Sequence, residues 1–309
     1  MLRQVLLTAA DSAGVRKLVE TVPVSRGVVA RYVAGRGVDD AVRVAGELMS
    51  AGLLVSLDYL GEHTYDRRQA EANRDAYLGV LRSLGERGLT AGAEVSVKLS
   101  ALGQALADGG EKVALANAQQ ICDAAQQVGT TVTLDMEDHT TTDSTLGILR
   151  DLRTDFPSVG AVLQAYLRRT DGDCRDLRYA GSRVRLCKGA YREPASVSFQ
   201  DPREVDRSYV RCLRTLMTGA GYPMVATHDP RLLEIAGALA VRHGREQGDY
   251  EYQMLYGVRP HEQRRLARSG ERMRVYVPYG HEWYGYLMRR LAERPANIAF
   301  FLRSLATKG

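Results

Sequence analysis

Apolar residues recur along this chain in two distinct periods. Runs of strand length stand at 53–60 (LLVSLDYL), 93–101 (AEVSVKLSA), 131–138 (TVTLDMED) and 159–166 (VGAVLQAY). Four more follow at 183–191 (RVRLCKGAY), 223–229 (PMVATHD), 250–257 (YEYQMLYG) and 273–280 (MRVYVPYG). Between them the apolar positions fall three and four apart, as in KVALANAQQICDAAQQVG and DPRLLEIAGALAVRHG, which predicts amphipathic helices. Polar or glycine-containing turns separate each strand from its helix. The last run alternates, with Met273, Val275 and Val277 on one side and Arg274 and Tyr276 on the other. That pattern predicts a half-buried strand, ended by Pro278 and Gly280. The first fifty residues are helical in pattern, punctuated by Gly14, Gly35 and Gly52.

Eight strands alternating with helices predict an α/β chain folded as a (β/α)8 TIM-type barrel. An open doubly wound sheet would most naturally carry a glycine-rich turn after its first strand, and LLVSLDYLGEHT has no GxGxxG. The expected organisation is an N-terminal helical arm over 1–50 and a single barrel over 51–309. A 45% hydrophobic content over 309 residues suits one large core. The four cysteines lack CxxC spacing, which points away from a disulfide framework or zinc site and toward a cytoplasmic protein. No apolar run reaches the roughly 20 residues of a membrane span, and the N-terminus lacks the form of a signal peptide. The net charge of +5 is a mild excess, densest at 263–274 (QRRLARSGERMR), expected to be a solvated helix-and-turn face. Without a basic stripe interleaved with exposed aromatics, no nucleic-acid partner is expected.

A barrel builds its site at the C-terminal ends of its strands. The residues expected there are Lys98, Asp135 with Glu137 and Asp138, Gln164, Lys188, Thr227 with His228, Gln253 and Tyr276. Any one of them alone reads as a strand-end polar group reaching solvent. Together they lie near a helical segment whose Tyr286, Arg289, Arg290 and Glu293 share one face. Two adjacent arginines beside a tyrosine can grip a planar carboxylate or phosphate. Lys98 could form a Schiff base, whereas Asp135 and His228 lack the companions of a metal site. Tyr191, Tyr276 and Tyr286 suit a pocket for a flat group or small ring, and Gly189 lets a bulky cofactor approach the backbone. Arg185 and Lys188, with Thr227 and His228, could neutralise a reduced flavin ring and its phosphates. The residues by themselves reach a barrel enzyme for an anionic small molecule, with a cofactor left open.

Seven motifs carry the reading further: VSVKLSA (95–101), TLDMED (133–138), VLQAY (162–166), VRLCKGAY (184–191), ATHD (226–229), YQMLYG (252–257) and YGYLMRRLAE (284–293). In order and spacing they resemble the proline dehydrogenase family, FAD-dependent enzymes with a distorted barrel, from residue 31 to the end. The likeness is to the short, monofunctional bacterial form. The resemblance implies oxidation of L-proline to Δ1-pyrroline-5-carboxylate, the first step of proline catabolism to glutamate, with hydride passing to flavin N5. It implies that Lys98, Arg289 and Arg290 bind the proline carboxylate, that Asp135 belongs to the active-site network, and that Arg185 approaches flavin N5. Met136, Gln164, Lys188, Gly189, Ala190, Thr227, His228 and Gln253 match FAD-contacting positions. Ala190, Leu255, Tyr276 and Tyr286 match the wall around the pyrrolidine ring, and Glu293 would pair with the arginines. The loop YVPYGHEWYGY is two residues shorter than in the long relatives, which leaves Tyr284 as an alternative to Tyr286. Arg192 stands where some members carry Trp. The family's acceptor is a membrane quinone, which implies peripheral contact with the inner face of the cytoplasmic membrane, with 263–274 as a candidate surface.

Overall fold

Every predicted apolar run coincides with a strand to within one residue at its start, and the eight strands close in chain order into a parallel barrel. A computed structural model describes residues 29–61 and 64–292, the side chains of 289–292 excepted. The strands are β1 Leu54–Tyr59, β2 Ala93–Val97, β3 Val132–Leu134, β4 Gly160–Gln164, β5 Arg183–Cys187, β6 Tyr222–Ala226, β7 Glu251–Leu255 and β8 Met273–Tyr279. Closure is a six-residue register between β1 and β8, from Leu54 opposite Arg274 to Tyr59 opposite Tyr279.

The helices are α1 Val38–Ser50, α2 Arg67–Glu86, α3 Gly110–Gln127, α4 Thr142–Asp155, α5 Thr170–Leu177, α6 Pro202–Met217, α7 Pro230–Arg242, α8 Pro260–Arg268 and α9 Trp283–Ala292. Helices α6 and α7 start by the same device. Asp201 and Asp229 accept from the amides of Arg203 and Arg231, and a proline fills the next position, where its missing N–H costs nothing. Helix α1 packs against β1 and β8, which covers the barrel seam. It is the part of the expected N-terminal arm, together with residues 29–37, that lies within the described residues. Helix α9 follows β8 and sends Tyr286 into the cavity at the strand ends.

One sequence reading is corrected here. Strand β8 is buried on both faces: Met273, Val275 and Val277 are 0% exposed, and Arg274 is only 5% exposed. Its polar face looks into the barrel, where helices cannot cover it and other polar side chains must. Arg274 therefore leaves the solvated basic segment; it pairs with Glu251 at 2.7 Å and donates to the Val55 carbonyl. Arg264, Arg265, Arg268 and Arg272 remain exposed.

Candidate active site

The barrel interior is lined by the polar members of each alternating strand. Ser56 and Asp58 come from β1, Glu94 and Ser96 from β2, and Glu251 and Gln253 from β7, all buried. Charges in such a place persist only when paired and hydrogen-bonded. Glu94 receives Arg183 at 2.6 Å and Arg185 at 3.1 Å. Burial alone would push its carboxyl up, but the guanidiniums of Arg274, Arg183 and Arg185 hold it well below the usual range.

Arg185, in the middle of β5, is the hub. Its Nε donates to Gln253 Oε1 at 2.5 Å. Its Nη1 donates to Asp135 Oδ1 at 2.7 Å and Ser96 Oγ at 2.8 Å, and its Nη2 to Glu94 Oε1 at 3.1 Å and Ser56 Oγ at 3.2 Å. All five N–H groups of the fork are engaged, which fixes its plane. The Tyr276 ring centroid lies 5.3 Å from the guanidinium carbon. Against burial, the Asp135 and Glu94 carboxylates raise the Arg185 pKa.

Above the hub sits a second cluster. Lys98, just past β2, places Nζ 2.7 Å from Asp58 Oδ1, 3.6 Å from Asp135 Oδ2 and 3.4 Å from the Tyr276 hydroxyl. Tyr276 donates to Asp135 Oδ2 at 2.6 Å, and burial keeps its phenol neutral, well above its ordinary pKa. Burial raises the Asp58 carboxyl to about 6, with Lys98 opposing the rise and Asp135 adding to it. Two carboxylates beside Lys98 favour an ammonium over the neutral amine that a Schiff base needs.

These groups open onto a cavity of about 670 Å³ at the C-terminal mouth. Lys98, Asp135, Arg185, Gln253 and Tyr276 form its floor, and Leu255, Ala190 and Tyr286 contribute to its wall. Of the two candidate tyrosines, Tyr286 lines the cavity, while Tyr284 packs edge-on against Trp283. Met136, Gln164, Lys188, Gly189, Thr227 and His228 line the same space. His228 Nε2 accepts from the Leu255 amide at 2.9 Å, which assigns the ring proton of the neutral imidazole to Nδ1. Lys188 is held by Asp206 at 2.6 Å and Asp229 at 3.4 Å. Gly189 takes φ +109°, and a Cβ there would stand 2.2 Å from the Tyr166 ring. Tyr166 in turn donates to Glu193, which also receives the amide and ring Nδ1 of His139. The loop after β5 is thereby fastened to the turn after β3.

Every expected site residue whose side chain is described lines this cavity, except Glu137 and Asp138. Glu137 instead accepts from the Ser100 amide and hydroxyl, and Asp138 caps a turn through the Thr140 amide. Arg289 and Arg290 sit on α9 one turn beyond Tyr286, with side chains outside the described residues; Glu293 lies outside them entirely. Asp58, Glu94, Ser96 and Glu251 were not expected. The signal for them is the alternation itself (V-S-L-D in β1, E-V-S-V in β2), once both faces of each strand are known to be covered.

The donor set fits a flavin nucleotide. Gln164 Oε1 is a buried acceptor without a hydrogen-bond partner, suited to an imide N–H of a flat heterocycle. Gly189 stands at the cavity edge, where the Tyr166 ring behind it leaves no room for a Cβ. Among the described residues no His, Cys, Asp and Glu side chains group as a metal site.

Residues 41–303 match the family model described as proline dehydrogenase. The chain is 37% identical over 308 residues to proline dehydrogenase 1 of Bacillus subtilis, covering 100% of each. It is 36% identical over 305 residues to a proline dehydrogenase of Deinococcus radiodurans, covering 98% of this chain and 97% of that one. Among solved structures, the proline utilization A protein of Bdellovibrio bacteriovorus, inactivated by N-propargylglycine, superposes with a TM-score of 0.79 at 25% identity. That match covers 86% of this chain and 32% of the other.

Proposed function

The chain belongs to the proline dehydrogenase family, and on that premise we propose that it oxidises L-proline to Δ1-pyrroline-5-carboxylate using bound FAD, with electrons passing on to a quinone. Proline dehydrogenase activity is the first step of proline catabolism. The observation that carries the finer reading is that the expected carboxylate-binding lysine and the expected flavin-contacting residues open onto one cavity.

In this reading Lys98, with Arg289 and Arg290, binds the substrate carboxylate and fixes the ring's orientation. Tyr276, Tyr286, Leu255 and Ala190 wall the pyrrolidine ring and exclude water. Bound FAD supplies the acceptor for the hydride that leaves the ring carbon beside nitrogen. Met136, Gln164, Lys188, Gly189, Ala190, Thr227, His228 and Gln253 would hold it. Catalysis is then mainly positioning, since transfer requires reacting atoms within about 3–3.5 Å. Arg185 presents a fixed cation to negative charge developing beside it, and Asp135 holds both Arg185 and Tyr276 in place.

Steady-state oxidation of L-proline by Arg289→Met and Arg290→Met tests the reading. Both variants should keep their flavin while KM rises by orders of magnitude; unchanged kinetics in both would remove the carboxylate grip. Peripheral membrane contact through the exposed Arg264, Arg268 and Arg272 would serve transfer to a quinone. Sedimentation with anionic liposomes tests that part, and absence of binding by both oxidised and reduced enzyme counts against it. No helix among the described residues is long and apolar enough to cross a membrane.

A further inference from the structure

We propose that Asp58 is the positioning residue for Lys98, and that its Oδ2 takes up a proton when the substrate carboxylate docks on that lysine. The inference rests on the reading that Lys98 binds that carboxylate.

Two carboxylates share the Lys98 ammonium and are unequally satisfied. Asp135 is fully engaged: Oδ1 receives Arg185 and Ser96, and Oδ2 receives Tyr276. Asp58 is 1% exposed, and its Oδ1 accepts from Lys98 at 2.7 Å. Its Oδ2 is buried without a hydrogen-bond partner. Asp58 therefore orients Lys98 through one oxygen and keeps the other open for a proton.

A docking substrate brings a third negative charge to the same ammonium. Asp135 is paired with Arg185; besides the lysine that the substrate now shares, Asp58 has only the nearby Tyr276 hydroxyl, whose proton is already donated to Asp135. A like charge nearby disfavours ionisation most in the group that is most desolvated and least compensated. Burial already raises the Asp58 carboxyl to about 6 in the free site, so a further anion moves it toward neutral pH. The groups that face it are Lys98 from the end of β2, Asp135 from the end of β3, Tyr276 and Tyr279 from β8 and Tyr77 from α2. Burial pushes all three phenols well above their ordinary values, so they stay neutral through this range. The step is a simple protonation: an O–H bond forms at Oδ2, the buffer acid in the solvent gives up the proton and is left as its conjugate base, and nothing is oxidised or reduced.

Cyclopentanecarboxylate, a ring carboxylate without the amine, isolates the effect. Its binding to the FAD-loaded enzyme is titrated calorimetrically at pH 7 in two buffers of different ionisation heat. Wild type should take up a fraction of a proton per ligand, and Kd should weaken between pH 6 and 8 by up to about tenfold per unit. Asp58→Asn keeps an acceptor for Lys98 but cannot ionise, so uptake vanishes and Kd becomes flat with pH. Asp58→Ala also loses the hold on Lys98, and Kd weakens at every pH. Binding to wild type without proton uptake overturns the role of Asp58, whether or not the variants fold. Wild-type uptake persisting in Asp58→Asn overturns it equally. Failure of the ring carboxylate to bind at all overturns instead the docking on Lys98 from which the inference starts.

Discussion

The Tyr276 hydroxyl donates to Asp135 Oδ2 at 2.6 Å, joining β8 to β3 across the mouth of the barrel. This bond stands beside Lys98, whose Nζ lies 3.4 Å from the same hydroxyl. Tyr276→Phe keeps the ring in the wall but leaves a buried carboxylate oxygen short of its donor. Loss of such a bond costs about 1–3 kcal/mol. Denaturant unfolding should show that loss, and KM for L-proline should rise by roughly tenfold, equivalent to about 1.4 kcal/mol of binding.

Arg185→Lys preserves a positive charge and removes the fork. An ammonium has three donors where this site uses five, so Asp135, Ser96, Glu94, Ser56 and Gln253 cannot all be satisfied together. Stopped-flow reduction of the bound flavin by L-proline should slow by about 10²–10³, the usual cost of losing a preorganised charge-stabilising donor.

Gly189→Ala tests the packing of the cavity-edge loop on Tyr166. The new Cβ would meet the Tyr166 ring at 2.2 Å, in a backbone conformation with φ +109° that L residues rarely adopt. Tyr166 is anchored to Glu193 and cannot move aside without losing that bond. The variant should purify with reduced flavin content, read from the ratio of visible to ultraviolet absorbance.

Stability should carry a signature of Asp58 with a definite sign. Its carboxyl titrates at about 6 folded, against 3.8 as the reference value. Between these pH values the folded state binds more protons than the unfolded one, so the Asp58 contribution to stability falls as pH rises. Asp58→Asn removes that penalty. It should be more stable than wild type at pH 8 by on the order of 1–3 kcal/mol, with the gap closing toward pH 4. Urea unfolding at both pH values measures it.

Much of this architecture was legible in the chain, and the parts that were not share a cause. Strands such as Val132–Leu134 and Gly160–Gln164 announce themselves as apolar runs, because barrel strands are covered by helices outside. Helix α5 (TDGDCRDL) gives no such signal: it has eight residues and few apolar ones, so it presents no clear stripe. The polar set at the strand ends was readable from position alone. Glu94, Asp58 and Glu251 were not, since a polar residue alternating with Val or Leu looks the same whether it faces solvent or a sealed interior. Only closure of the sheet decides between those, and closure is a property of β1 pairing with β8 over 200 residues of separation.

The most direct test of the central claim is an absorbance spectrum of the purified protein before and after anaerobic addition of L-proline. The account predicts flavin bands that bleach on addition, which reports cofactor and substrate together. A protein that stays colourless after reconstitution with FAD, or a yellow one that L-proline leaves unchanged, would contradict it.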